Sequence, residues 1–203
     1  MSKLAACPCR IAWIALALMP AAQAIGDEAG CTVERARVDA AGIATYTAQC
    51  RWPVAPGLVA EIVAEPKLIA AASSSLAEST RLGDGRVLNV HSVGWPIDDR
   101  QSTIVTEKTP LPDGGLVLTY TLAPEQAPLG AGRVQVLRDD GRWEIRGDGD
   151  GGTQLHYEQT YDAGGSLPVS LVQRTVRASI EESLAELRAA AEESGRRAAA
   201  RER

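Results

Sequence analysis

The sequence predicts an α+β fold in which an antiparallel sheet is covered by a long C-terminal helix, with a short helix after the first hairpin. Short alternating segments recur between Gly- and Asp-rich turns from residue 31 to 161, and the last third of the chain carries an apolar stripe at helical spacing. Size and composition suit one domain. The 203 residues are 45% hydrophobic and 23% charged, near the average for a globular chain, which excludes disordered, collagenous and multi-span membrane classes. Lys+Arg at 21 against Asp+Glu at 26 gives a net charge of −5, so no basic footprint exists for nucleic acid. Two histidines and four cysteines, with no C-x-x-C or H-E-x-x-H spacing, offer a metal few ligands, and no cofactor is expected.

Residues 1–24 read as a signal peptide: Lys3 and Arg10 with no acid, an apolar run at 11–19, and small residues up to Ala24, after which cleavage is expected. The apolar run falls short of the ~20 residues that cross a bilayer, so a permanent anchor is the weaker reading. Export to the periplasm or the medium follows. Losing two cations, Lys3 and Arg10, takes the charge from −5 to −7, and losing Cys7 and Cys9 leaves Cys31 and Cys50 alone in an oxidising compartment.

Those two cysteines lie in a hairpin, 31–38 and 43–50, joined by Asp39-Ala40-Ala41-Gly42. With Asp39 opposite Gly42, the register sets Cys31 opposite Cys50, so a disulfide is expected. A helix follows at 57–64, with Leu58, Val59, Ile62 and Val63 at helical period before Pro66, and then a helical or irregular piece at 67–72. Strands are expected at 74–82, 86–93, 102–109, 116–122, 132–137, 142–146 and 153–161. The intervening turns are Gly83-Asp84-Gly85, Leu111-Pro112-Asp113-Gly114-Gly115, Asp139-Asp140-Gly141 and the loop at 147–152, so the sheet should be a meander. Leu116, Leu118, Tyr120 and Leu122 share one face, as do Trp143 with Ile145, and Leu155 with Tyr157 and Tyr161; His156 and Glu158 fall on the wet side.

The cover for the dry face is a helix from about Leu167 to Ala191 with the stripe Leu171, Val172, Val176, Ile180, Leu184 and Leu187. Gly164 and Gly165 turn the chain, Ser166 can cap and Pro168 suits the first turn. The domain is thus 25–191. Residues 192–203 form a charged helical tail, with Glu192–Arg196 and Glu193–Arg197 pairs, that projects into solvent and frays.

Two motifs carry a resemblance. Gly94-Trp95-Pro96-Ile97-Asp98-Asp99-Arg100 and, some sixty residues on, Asp162-Ala163-Gly164-Gly165-Ser166-Leu167-Pro168 resemble the W-P-x-x-D-R-D-like turn and the D-P-G-G-x-[IL]-P-like joint of START (StAR-related lipid transfer) domains, within the SRPBCC or helix-grip superfamily. Gln101 stands where the family usually has Asp, and Ala163 where it often has Pro. The resemblance spans about residues 54–188. It implies a curved sheet gripping the long helix, with a tunnel for one hydrophobic, lipid-like molecule and no covalent chemistry. The tunnel would be lined by Leu118, Tyr120, Trp143, Ile145, Leu155, Tyr157, Val172, Val176 and Ile180. His91 alternates with Asn89 and Val87 against Leu88 and Val90; periodicity does not decide which face is interior, and His91 is carried as a candidate polar anchor.

Other features weigh less. Adjacent Asp98 and Asp99 point to opposite sides of a turn and suit backbone bonding there, with Arg100 paired nearby, better than a catalytic pair. Gly147-Asp148-Gly149-Asp150-Gly151-Gly152 lacks the partners of a calcium or phosphate loop and reads as a hairpin turn. Of Arg86, Arg133, Arg138, Arg142 and Arg146, at most one or two could face inward as a head-group clamp. The function expected is carriage or sequestration of a hydrophobic ligand without catalysis, with transient membrane or partner-protein contact for handover. The alternatives are a helix-grip enzyme acting on a polyketide-like or aromatic substrate and a closed-core interaction module.

Overall fold

The computed structural model describes residues 30–92 and 97–201, so the signal segment, its cleavage site and Gly94-Trp95-Pro96 lie outside the described residues. Elements run β1 (Cys31–Val38), β2 (Ala44–Trp52), α1 (Pro56–Ala64), α2 (Pro66–Ala71), β3 (Leu76–Arg81), β4 (Val87–His91), β5 (Asp99–Pro110), β6 (Leu116–Leu122), β7 (Arg133–Gln135), β8 (Arg138–Gly147), β9 (Thr153–Asp162) and α3 (Val169–Arg201). The sheet has the order β1-β2-β9-β8-β6-β5-β4-β3, with neighbours antiparallel, and α3 lies across its inner face. A core of alternate strand residues, among them Tyr46, Trp52, Leu118 and Tyr157, meets Val176, Ile180, Leu184 and Leu187 of α3.

Cys31 and Cys50 form the expected disulfide and face each other in the β1–β2 ladder. The turn is different. Asp39 N–H bonds the Ile43 carbonyl, and the Asp39 carboxylate accepts from Ala41 and Ile43 N–H, so the loop is one residue longer than expected. A bulge between Arg35 and Arg37 absorbs the extra residue, which is why the cysteines still meet.

Two expectations about the meander fail together. Asp139-Asp140-Gly141 is no turn; it lies inside β8, paired to both β6 and β9. Glycine is there because a Cβ on Gly141 would collide with the Tyr120 hydroxyl and the Glu158 carbonyl. Residues 132–137 do not enter the meander either: β7 pairs parallel to residues 99–101 at the start of β5, off the main strand path, as part of a polar plug. At its centre Gln101, 1% exposed, accepts from Gly130 N–H at 3.2 Å and Arg133 at 3.1 Å, and donates to the Pro128 carbonyl at 3.0 Å. An amide does here, as donor and acceptor, what an aspartate could do only as acceptor. We expect Gln101→Leu to lower unfolding free energy by about 2 kcal/mol in urea denaturation, because it strands those partners.

The long helix starts at Val169, after Gly164 (φ 64°) and Gly165 (φ 75°) turn the backbone; Pro168 precedes the first turn, and its carbonyl accepts from Leu171 and Val172 N–H. Leu171 is 42% exposed, at the edge of the stripe. α3 continues to Arg201, with Leu58 of α1 beside Gly195 and residues 196–201 exposed, and its pairs are Arg188–Glu192, Arg196–Glu193 and Arg197–Glu193 rather than Glu192–Arg196.

Candidate functional site

Between the sheet and α3 the two layers part to leave a cavity of about 390 Å³. Volumes of about 300–1,000 Å³ are typical of pockets that enclose one small ligand. The interior is therefore not filled by the chain's own side chains. Leu118 and Tyr120 of β6, Trp143 of β8, Tyr157 of β9 and Val172, Val176 and Ile180 of α3 line it, as the stripe and the strand alternation require. Ile145 and Leu155 do not. Both are buried, at 0% and 3% exposure, but at the end of β8 and β9 that α1 packs against, where the core is closed.

One aromatic shelf forms the floor. Trp143 and Tyr157 are cross-strand partners whose ring centroids lie 4.1 Å apart, and the Tyr157 hydroxyl meets that of Tyr120 at 3.1 Å. Burial pushes both phenols upward in pKa, so they remain neutral hydroxyls able to donate as well as accept. On the flank, the hydroxyls of Ser73, Ser75 and Ser183 lie 3.1–3.2 Å from one another and tie the loop after α2 to α3.

The far wall is polar, and sequence reasoning saw little of it. His91 lines the cavity with Asn89 and Val87, which settles the face that periodicity left open. Its ring stands edge-on to Tyr161 at 5.6 Å, and its Nε2 is buried without a hydrogen-bond partner. Asn89 accepts from Ser79 at 2.7 Å. Asp139, read as a turn residue, is 2% exposed and lines the same cavity; it accepts from Ser102 at 2.8 Å and Gln159 at 3.4 Å. Arg100 completes this wall at 3% exposure. It has no carboxylate pair among the described residues and donates instead to the Asp98 backbone carbonyl. The Asp98 and Asp99 side chains do not line the cavity. His156 sits on the outer face, half-exposed, across from Glu144. The five strand arginines considered as a clamp all face acids outside: Arg86 on Asp84, Arg133 on Glu78, Arg138 on Asp39 and Asp140, Arg142 and Arg146 on Glu144.

Burial, opposed by the charge of Asp139, holds the His91 imidazole below its ordinary pKa, and burial, opposed by His91 and by the hydrogen bonds from Ser102 and Gln159, holds the Asp139 carboxyl above its own. The signs oppose. The unfolded chain takes up the His91 proton first, so that share of stability is lost as pH falls through the unfolded value of about 6.5; the Asp139 share is present below about 3.8 and is lost as pH rises through its folded value. Urea denaturation at pH 7.5 and 5.5 should therefore show wild type losing about 1 kcal/mol more stability than His91→Phe on acidification.

No family model matches the chain. An uncharacterised protein of Pseudomonas aeruginosa is 32% identical over 100 residues, a stretch covering 48% of this chain; the chain spans about half, 48%, of that relative's length. Among solved structures, a STAR-related lipid transfer protein from Xanthomonas axonopodis matches with a TM-score of 0.69 at 22% identity, covering 79% of this chain and 92% of that one. Human StAR-related lipid transfer protein 5 matches at 0.74 and 15% identity, over 82% and 84% of the two chains. The Zhui aromatase/cyclase from Streptomyces sp. R1128 matches at 0.56 and 19%, over 77% and 96%. The chain has the helix-grip fold of START domains, as its two motifs led one to expect.

Proposed function

We propose that this chain binds one hydrophobic, lipid-like molecule between its sheet and α3 and carries or sequesters it, without catalysis, in the periplasm or outside the cell. The observation that carries this reading is the cavity itself: an unfilled space walled by Leu118, Trp143, Val172, Val176 and Ile180 at the point where the two layers should otherwise touch. Apolar surface transferred there from water gains roughly 0.8 kcal/mol per methylene. Neighbours of the same fold are named lipid transfer proteins, which supports the ligand class. The Cys31–Cys50 bond and the signal-like residues 1–24 support an exported location, with the domain at 25–191 and the tail at 192–203. No helix among the described residues is long and apolar enough to cross a membrane, so handover would use transient contact with a membrane or a partner protein.

The test is native and extraction mass spectrometry on the full chain expressed with its own leader and purified without detergent. The expected result is a hydrophobic molecule at near one per protein. Empty protein that also fails to bind apolar fluorescent probes would overturn the reading. One observation favours the enzyme alternative: His91 and Asp139 both face the cavity, in a fold shared with an aromatase/cyclase. Turnover of an aromatic or polyketide-like substrate that disappears in folded His91→Ala would establish it.

A further inference from the structure

We infer that the polar wall of the cavity is a carboxylate subsite, so that the ligand is a single-chain or compact amphiphile ending in a carboxylate and not a neutral lipid. The inference rests on the proposed ligand-binding role and narrows it.

Arg100 is the reason. Arginines at the surface, such as Arg142, Arg177 and Arg188, have carboxylates at 2.7–2.9 Å. Arg100 is the buried arginine among the described residues, and no carboxylate of those residues lies within 4.0 Å of its guanidinium. One nitrogen, Nη1, donates to the Asp98 carbonyl, and Nε has no partner. Its Nη2 lies under Gly165, which passes over the guanidinium without a side chain. A guanidinium cannot shed its proton to escape this situation, and an uncompensated buried charge is among the costliest arrangements a fold can hold. The compensation must come from elsewhere, and Arg100 is among the residues that line the cavity.

Asp139 does not pair with it: none of its oxygens lies within 4.0 Å of the guanidinium, and they accept from Ser102 and Gln159 instead. His91 adds to the case: it lines the same wall, and its buried Nε2 is a second polar atom with no partner from the protein. Held neutral by burial, the ring can carry its proton on Nε2 and donate it. Two donors on one wall, one of them permanently cationic, suit a group with two acceptor oxygens and one negative charge. A hydroxyl would meet one donor and leave the charge, while the apolar floor of Trp143 and the α3 stripe takes the hydrocarbon.

The experiment uses the full chain and four probes of one chain length, hexadecanoic acid, its methyl ester, hexadecanol and hexadecyl phosphate, displacing a bound fluorescent apolar probe. The acid should bind at least tenfold more tightly than the ester and the alcohol. Arg100→Met should bring the acid down to the level of the ester while leaving the ester unchanged, and Arg100→Lys should keep part of the preference. If Arg100→Met fails to fold, the wild-type comparison and His91→Phe, which removes the second donor and should narrow the acid preference, carry the test. Equal binding of acid and ester, an equal loss of all probes in Arg100→Met, or tighter binding of the phosphate than of the acid would overturn the carboxylate assignment. Failure of every probe to bind folded protein would instead bring down the ligand-binding role on which it rests.

Discussion

Leu118→Trp combined with Ile180→Trp should weaken binding of a hydrophobic ligand at least about tenfold, or about 1.4 kcal/mol, while the thermal midpoint stays within a few degrees of wild type. Both side chains belong to the cavity wall, one from β6 and one from α3, and both are 5% exposed. In a close-packed interior an indole has nowhere to go, and overpacking costs roughly 1–3 kcal/mol for each such change. Here the added rings can enter the 390 Å³ space, replacing contacts the ligand would have made. The combination of two readouts is what discriminates. Lost affinity with an unchanged midpoint means that the cavity is the binding site. Lost stability means that the space closes in solution, and unchanged affinity means that ligand binds elsewhere. Probe titration followed by calorimetry on the same samples checks all three.

How much of this was legible beforehand depended on whether one periodicity decided the matter. The stripe from Val176 to Leu187 lies on a helix with one inner face, and the structure buries the residues its period selects. Leu118, Trp143 and Tyr157 follow from strand alternation in the same way. Alternation fails on β5: Arg100 to Ile104 are buried one after another, because the cavity lies on one side and the Gln101-centred plug on the other. No period in β5 announces that second cover, so Arg100 appeared to be a turn residue with a nearby partner. Asp139 was hidden differently. Asp-Asp-Gly has the chemistry of a hairpin turn, and the reason for Gly141, the close approach of the Tyr120 hydroxyl, involves a residue twenty-one positions away. Ile145 and Leu155 satisfied every local criterion for the wall. What excludes them is the packing of α1 at that end of the sheet, which is tertiary information.

Replacing both Cys31 and Cys50 by serine should lower the unfolding free energy by about 3 kcal/mol, seen as an earlier urea midpoint that reductant no longer shifts. The bridge spans a sequence separation of 19, and much of its contribution comes from restricting the unfolded chain. A second contribution is local. β1 is an edge strand that buries only Val33, so little apolar area holds it to β2 once the covalent tie is gone. The opposite end of the hairpin is secured by Arg138 on Asp39 at 3.1 Å, a half-exposed pair worth a fraction of a kcal/mol. Between these points lies the bulge near Ala36, where the ladder is already broken. Amide exchange should therefore accelerate first in residues 31–35, next to the lost bridge, and only later around the turn. Uniform acceleration across the whole sheet would show that the bridge acts on global stability alone. Equal stability of the double serine variant and wild type would show that β1 is held by its backbone ladder, and that an oxidising compartment is not what this fold requires.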